Sequence, residues 1–71
     1  MLPDGTYDAI VVDAEERDGV VHLELTILAG EHKGEVVTLQ ARGLDDEPTL
    51  LLGIPATLTV ADGQPRVRLE P

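Results

Sequence analysis

The chain has no cysteine, phenylalanine or tryptophan, and Tyr7 is its single aromatic residue. Without cysteine, neither disulfides nor thiolate metal sites can stabilise the fold, and this composition is typical of the reducing cytoplasm. No segment approaches the ~20 apolar residues that a membrane-spanning helix needs, and no basic region followed by an apolar run stands at the start. We therefore expect a cytoplasmic domain with no membrane partner.

Residues that commonly carry catalysis are also scarce. Serine is absent along with cysteine, and threonine and histidine occur in no recognisable arrangement of nucleophile and base. Carboxylates are numerous, but a pair of them would need a cleft between them to act on a glycosidic substrate. The sequence therefore predicts a protein that is not an enzyme and that uses no cofactor.

Basic residues are few, and the formal net charge is -9. Residues 1–31 hold eight acids against Arg17 alone, whereas residues 32–71 hold six acids against four basic residues. Nucleic-acid binding draws most of its affinity from Lys and Arg that replace counterions, so this balance disfavours a general nucleic-acid binder. It favours a basic protein partner, although acids on a small cytosolic protein can also serve solubility alone.

Apolar residues are abundant and alternate with polar ones at period two, which predicts β-strands with one buried face. A chain of 71 residues has room for a single domain, which we take to span 1–71. Five strands are expected, at about 6–15, 20–28, 35–42, 56–61 and 66–70.

The second predicted strand has the clearest buried face. That face consists of Val21, Leu23, Leu25 and Ile27. The first strand carries apolar residues on both faces, with Tyr7, Ala9 and Val11 on one side and Ile10, Val12 and Ala14 on the other. We therefore expect the second strand to have one solvated face and the first to be covered on both.

Turns and one helix complete the prediction. Residues 16–19 form a hairpin turn that ends in Asp18-Gly19, and residues 43–53 carry an Asp cap, an early proline and a final glycine, as in a short helix. Three strands, a helix and two strands is the order of an OB-fold. The predicted fold is therefore all-β, a small five-stranded OB-like barrel with one short helix between strands three and four, and with an SH3-like strand order left open. Its aliphatic interior leaves no room for a buried ligand.

The segment 25–39, with the sequence LTILAGEHKGEVVTL, resembles hairpins of two groups of small barrels. One group comprises phage and bacterial OB-fold proteins of the single-stranded-DNA-binding type, in which a similar turn joins strands two and three. The other is the KOW motif of SH3-like barrels, whose Gly-x-x-Lys-Gly core is matched by Gly30, Lys33 and Gly34. These resemblances imply an OB-like or SH3-like barrel that binds nucleic acid. The two glycines are equally explained by a turn that requires positive φ.

A basic stripe is the candidate site for nucleic acid. In an OB topology strand five pairs with strand three, so that Arg42, Arg66 and Arg68 would gather on one face, with Lys33 and Tyr7 as further candidate binding residues. The alternative is that these arginines form exposed ion pairs with neighbouring acids.

An acidic surface on strands one and two is the other candidate site. Its residues are Asp8, Asp13, Glu15, Glu16, Asp18 and Glu24. The acids lack the order of a calcium-binding loop, and His22 and His32 lack a third ligand for zinc, so we expect no metal site.

The leading hypothesis is a non-enzymatic OB-like binding or adaptor module that contacts a basic protein through this acidic surface. The alternative is single-stranded nucleic-acid binding through the stripe of Arg42, Arg66 and Arg68. A third hypothesis is a homo-oligomer formed through the outward apolar residues Val20, Leu28 and Val36.

Overall fold

A computed structural model of the chain describes residues 2–41 and 51–70, and these form one antiparallel sheet of five strands. The strands are β1 (Gly5–Arg17), β2 (Val20–Ile27), β3 (Val36–Ala41), β4 (Pro55–Ala61) and β5 (Gln64–Leu69). Their order across the sheet is β3-β2-β1-β4-β5. All five predicted strands are present, and the all-β fold class is confirmed for the described residues. No helix among these residues is long and apolar enough to cross a membrane.

The core lies on one face of this sheet and is aliphatic. Its largest fully buried side chains are Val11, Leu23, Leu25, Ile27, Leu51 and Leu58. The predicted inward face of β2 is confirmed, because Val21, Leu23, Leu25 and Ile27 are all buried while Glu24 is exposed. Burial of such a side chain contributes about 1.5–3 kcal/mol, so β2 and β4 supply much of the stability of this small fold.

Two hairpins turn through the dipeptide Asp-Gly. Asp18-Gly19 joins β1 to β2 and Asp62-Gly63 joins β4 to β5, and all four residues have positive φ. Such two-residue turns match the twist of the strands that they connect. The predicted turn at residues 16–19 is therefore tighter than expected, since β1 continues to Arg17.

A β-bulge in β1 corrects the predicted faces of that strand. The pairing with β2 shifts between Val11 and Asp13, so Val12 is an extra residue without a partner. Beyond the bulge the alternation reverses, and Ala14 packs against the core instead of lying on the outer side with Ile10 and Val12. The sequence prediction for Ala14 was wrong, because the alternation of apolar letters does not reveal an inserted residue.

The ends of the sheet do not meet through a ladder. Within residues 2–41 and 51–70, β3 pairs only with β2 and β5 only with β4, so the expected pairing of strands three and five is not found there. Both strands border a common cleft of about 260 Å³. The sheet is therefore curled and forms a half-barrel. This shape is compatible with an OB-like barrel. The predicted helix falls mainly on residues 42–50, which lie outside the described residues.

Candidate functional site

The outer face of β1 and β2 carries four of the six predicted acidic residues. Asp8, Asp13, Glu15 and Glu24 are all exposed, and their register places them on the side of the sheet opposite the core. Asp18 lies instead in the turn, and Glu16 stands opposite the buried Val21, on the inward side at the end of the hairpin. The acidic surface is therefore smaller than the sequence suggested, and we define it by these four residues.

The bulge at Val12 is what assembles this acidic surface. In an unbroken strand Asp13 and Glu15 would share a face with Val11, which is buried. The extra residue turns both carboxylates outward, to the face that Asp8 already occupies. Val12 itself lies on the same outer face and is exposed to 48%.

Two of these acids lie directly opposite each other. Asp13 of β1 pairs with Glu24 of β2, directly after the bulge. Neither carboxylate forms an ion pair within the described part of the chain. The Asp13 carboxylate accepts a hydrogen bond from the Ala14 amide. Glu15, by contrast, pairs with Arg17, with 3.3 Å between Oε1 and Nε. Among the described residues, Asp13 and Glu24 are thus two facing carboxylates that have no ion pair.

The outer face of β4 and β5 has the opposite charge. Arg66 stands opposite Thr59 and Arg68 opposite Thr57, and these four residues with Val67 line a shallow groove of about 410 Å³. The Arg68 guanidinium donates a hydrogen bond of 3.1 Å to Glu70. Two members of the predicted basic stripe are therefore neighbours on one face, while the third, Arg42, lies outside the described residues.

The remaining predicted binding residues do not join this face. Lys33 is exposed in the turn between β2 and β3. Tyr7 is half-buried against the core, donates its hydroxyl hydrogen bond to the Pro3 carbonyl, and meets the ring of His32 edge-on at 6.0 Å between centroids. His32 is held in turn by a contact with Glu35. Tyr7 thus packs as part of the structure and does not offer a free face for base stacking.

The glycines of the same turn follow the structural interpretation. Gly30 and Gly34 have φ of 85° and 91°. Gly34 donates its amide to the Ile27 carbonyl while the Ile27 amide donates to Glu35, the pattern of a bulge that begins with a left-handed glycine. The geometry of the hairpin therefore accounts for both residues.

The sequence analysis also named outward apolar residues as a possible contact between copies of the chain, and it expected no metal site. Leu28 and Val36 are exposed to 45% and 58%, whereas Val20 is half-buried. The described ranges contain no group of three or more His, Asp or Glu side chains placed to hold a metal ion. Three features were not predicted from the sequence: the bulge, the edge of β3 that no other described strand pairs with, and the role of Asp4, whose carboxylate accepts the Asp62 and Gly63 amides at 3.1 and 3.3 Å. An isolated Asp carries no sequence signal for a turn 58 residues away.

No protein-family model matches this sequence, and no curated protein or solved structure matches it either.

Proposed function

We propose that the protein is a non-enzymatic binding module that contacts a basic protein through the acidic surface of β1 and β2. The observation that carries this proposal is the facing pair Asp13 and Glu24. Like charges directly opposite each other destabilise a sheet. A cation from a partner would be attracted to both carboxylates and would offset the repulsion between them. The sequence has no serine or cysteine, which supports a binding function over nucleophilic catalysis. The lack of cysteine also supports a cytoplasmic setting.

The overall scaffold that we propose for this module is an OB-like barrel. The strand order and the common cleft beside β3 and β5 support it, because an OB-fold is a partly open barrel whose third and fifth strands lie next to each other.

Titration with a defined oligolysine tests the proposed contact. The unchanged protein should bind at low salt, and the double variant Asp13→Asn/Glu24→Gln should bind about tenfold more weakly, since each neutralised contact removes part of the attraction. The matched control is Glu31→Gln/Asp62→Asn, which changes the net charge equally but alters two turns. Equal weakening by both double variants would show a general charge effect and contradict the assignment of a site.

Single-stranded nucleic-acid binding is the second candidate, and the adjacent Arg66 and Arg68 favour it. A labelled oligonucleotide should bind at ~50 mM salt, weaken steeply as salt rises, and lose affinity in Arg66→Ala/Arg68→Ala. Arg17→Ala is the control, since it removes a charge at the distant β1–β2 turn. Lack of any binding at this salt concentration would exclude the candidate.

A further inference from the structure

Within residues 2–41 and 51–70 the strand β3 has an open edge, and we infer that the basic partner binds there as an added β-strand. The inference rests on the proposed function and specifies the form of its ligand: an extended segment that carries Lys or Arg on alternate residues. It combines the accessibility of β3, the direction of its backbone groups and the position of the acidic pair.

The two edge strands differ in how they are protected. β5 contains Pro65, which has no amide hydrogen to donate, and the charged residues Arg66 and Arg68. Proline and charge are common devices that prevent an edge strand from pairing with another chain. β3 has the sequence VVTLQA, with neither proline nor charge, and Val36 at its start is exposed to 58%. Only β3 therefore has the character of a strand that can accept a partner.

The direction of the β3 backbone follows from its ladder with β2. Ile27 exchanges hydrogen bonds with Gly34 and Glu35, so the next hydrogen-bonded positions are Val37 and then Leu39. The amide and carbonyl groups of the alternate residues Val36, Thr38 and Gln40 consequently point away from β2. These groups form the row that an added strand would use.

Space exists beside this row. The cleft of about 260 Å³ is lined by Leu2 and Val60 as well as by residues 35–38 and Pro65. An added strand points alternate side chains to opposite faces. Its inward residues would therefore meet apolar surface, and valine or a similar residue fits these positions.

The negative charge of the outer face favours basic side chains at the outward positions of the added strand. Glu24 pairs with Thr38 as well as with Asp13, so the three residues form a row across the sheet that ends at the open edge. A strand added to β3 lies ~4.8 Å beyond it, and the long side chain of Lys or Arg can extend over Thr38 toward Glu24. A second copy of this chain fits less well, because each copy has a net charge of -9.

The test uses a capped peptide of alternating valine and lysine. It should bind about tenfold more tightly than an oligolysine of equal charge, because its valines pack in the apolar cleft and hold the peptide as an added strand, whereas oligolysine has no apolar side chain for these positions. N-methylation of the alternate residues that face β3 removes their amide hydrogens without changing charge, and should abolish this advantage.

The variant Thr38→Pro tests the same hydrogen bonds from the side of the protein. The Thr38 amide points to the open edge, so proline removes a donor that β2 does not use. We expect the advantage of the peptide to be lost while oligolysine binding is retained. Gln40→Pro is the second variant should Thr38→Pro fail to fold, and the N-methylated peptide needs no change in the protein.

The outcomes separate this inference from the proposed function. If oligolysine binds through Asp13 and Glu24 but the peptide binds no better than oligolysine, strand addition is wrong and the proposed function stands. If neither ligand binds, the proposed function fails and the inference fails with it. If ultracentrifugation shows a dimer that Thr38→Pro dissociates, a second copy occupies the edge and the basic peptide is excluded as its ligand.

Discussion

The hairpin β4–β5 and the strands β1–β3 share one core but present opposite outer surfaces. On β4–β5, threonines face two arginines, and the free edge carries a proline. On β1–β3, two carboxylates face each other, and the edge that is free among the described residues carries neither proline nor charge. The edge strand of the first region is thus protected against pairing with another chain, whereas the second region has facing carboxylates that repel each other and an edge strand without such protection. These two features of β1–β3 are the ones on which the proposed binding function rests.

The largest expected effect concerns the core that the two regions share. Leu25 in β2 and Leu58 in β4 are both 0% exposed, and replacement of either by alanine should cost about 2–5 kcal/mol. Because the domain is so small, we expect each variant to unfold in a single cooperative transition that includes the whole sheet. Urea titration followed by circular dichroism measures this transition. Leu52→Ala, at a side chain exposed to 47%, is the control and should have little effect. Two separate transitions would mean that the regions are independent units.

The Asp-Gly turns should respond equally in the two regions. Gly19 and Gly63 have φ of 79° and 74°, and alanine at either position should cost about 1–2 kcal/mol because a side chain disfavours left-handed backbone. Thermal unfolding measures both variants. Asp18→Asn and Asp62→Asn are the controls, since asparagine tolerates positive φ. A much smaller loss for Gly19→Ala would indicate that the β1–β2 turn can relax.

Asp4 supports only the turn of β4–β5. Its carboxylate accepts the amides of Asp62 and Gly63, and Asp4→Ala should lower the free energy of unfolding by about 1 kcal/mol. Asp8→Ala removes an exposed carboxylate four residues further along, in β1, and is the control. Amide exchange should accelerate at the β4–β5 turn and remain unchanged at Asp18-Gly19. Equal acceleration at both turns would contradict a local role for Asp4.

The smallest expected effect is a gain of stability in the acidic region. Asp13→Asn or Glu24→Gln removes the repulsion between facing carboxylates and should stabilise the isolated protein by about 0.2–1 kcal/mol. The gain should diminish as salt rises, because these charges are exposed and screened. Glu15→Gln is the control, since it removes the partner of Arg17 and should bring no gain. Unchanged or lowered stability in the Asp13 and Glu24 variants would contradict the repulsion on which the proposed function depends.

The sequence by itself determined the strand content of the described residues and the buried face of β2. Period-two alternation and Asp-Gly turns are local signals, and local backbone preferences suffice to produce them. The order of the elements predicted a five-stranded OB-like barrel, and the described residues show its five antiparallel strands as a curled half-barrel. Period-two alternation also placed Arg66 and Arg68 on one outward face, since residues two apart share a face of any strand.

Only the tertiary structure decided which acids share a face and which strand edges have no partner strand among the described residues. The bulge at Val12 depends on how β1 fits β2, and that fit moved Ala14 inward and Asp13 outward. The absence of a ladder between β3 and β5 in the described residues depends on the curvature of the whole sheet. Both features arise from contacts between residues far apart in the chain, and period-two patterning within a single strand carries no information about them.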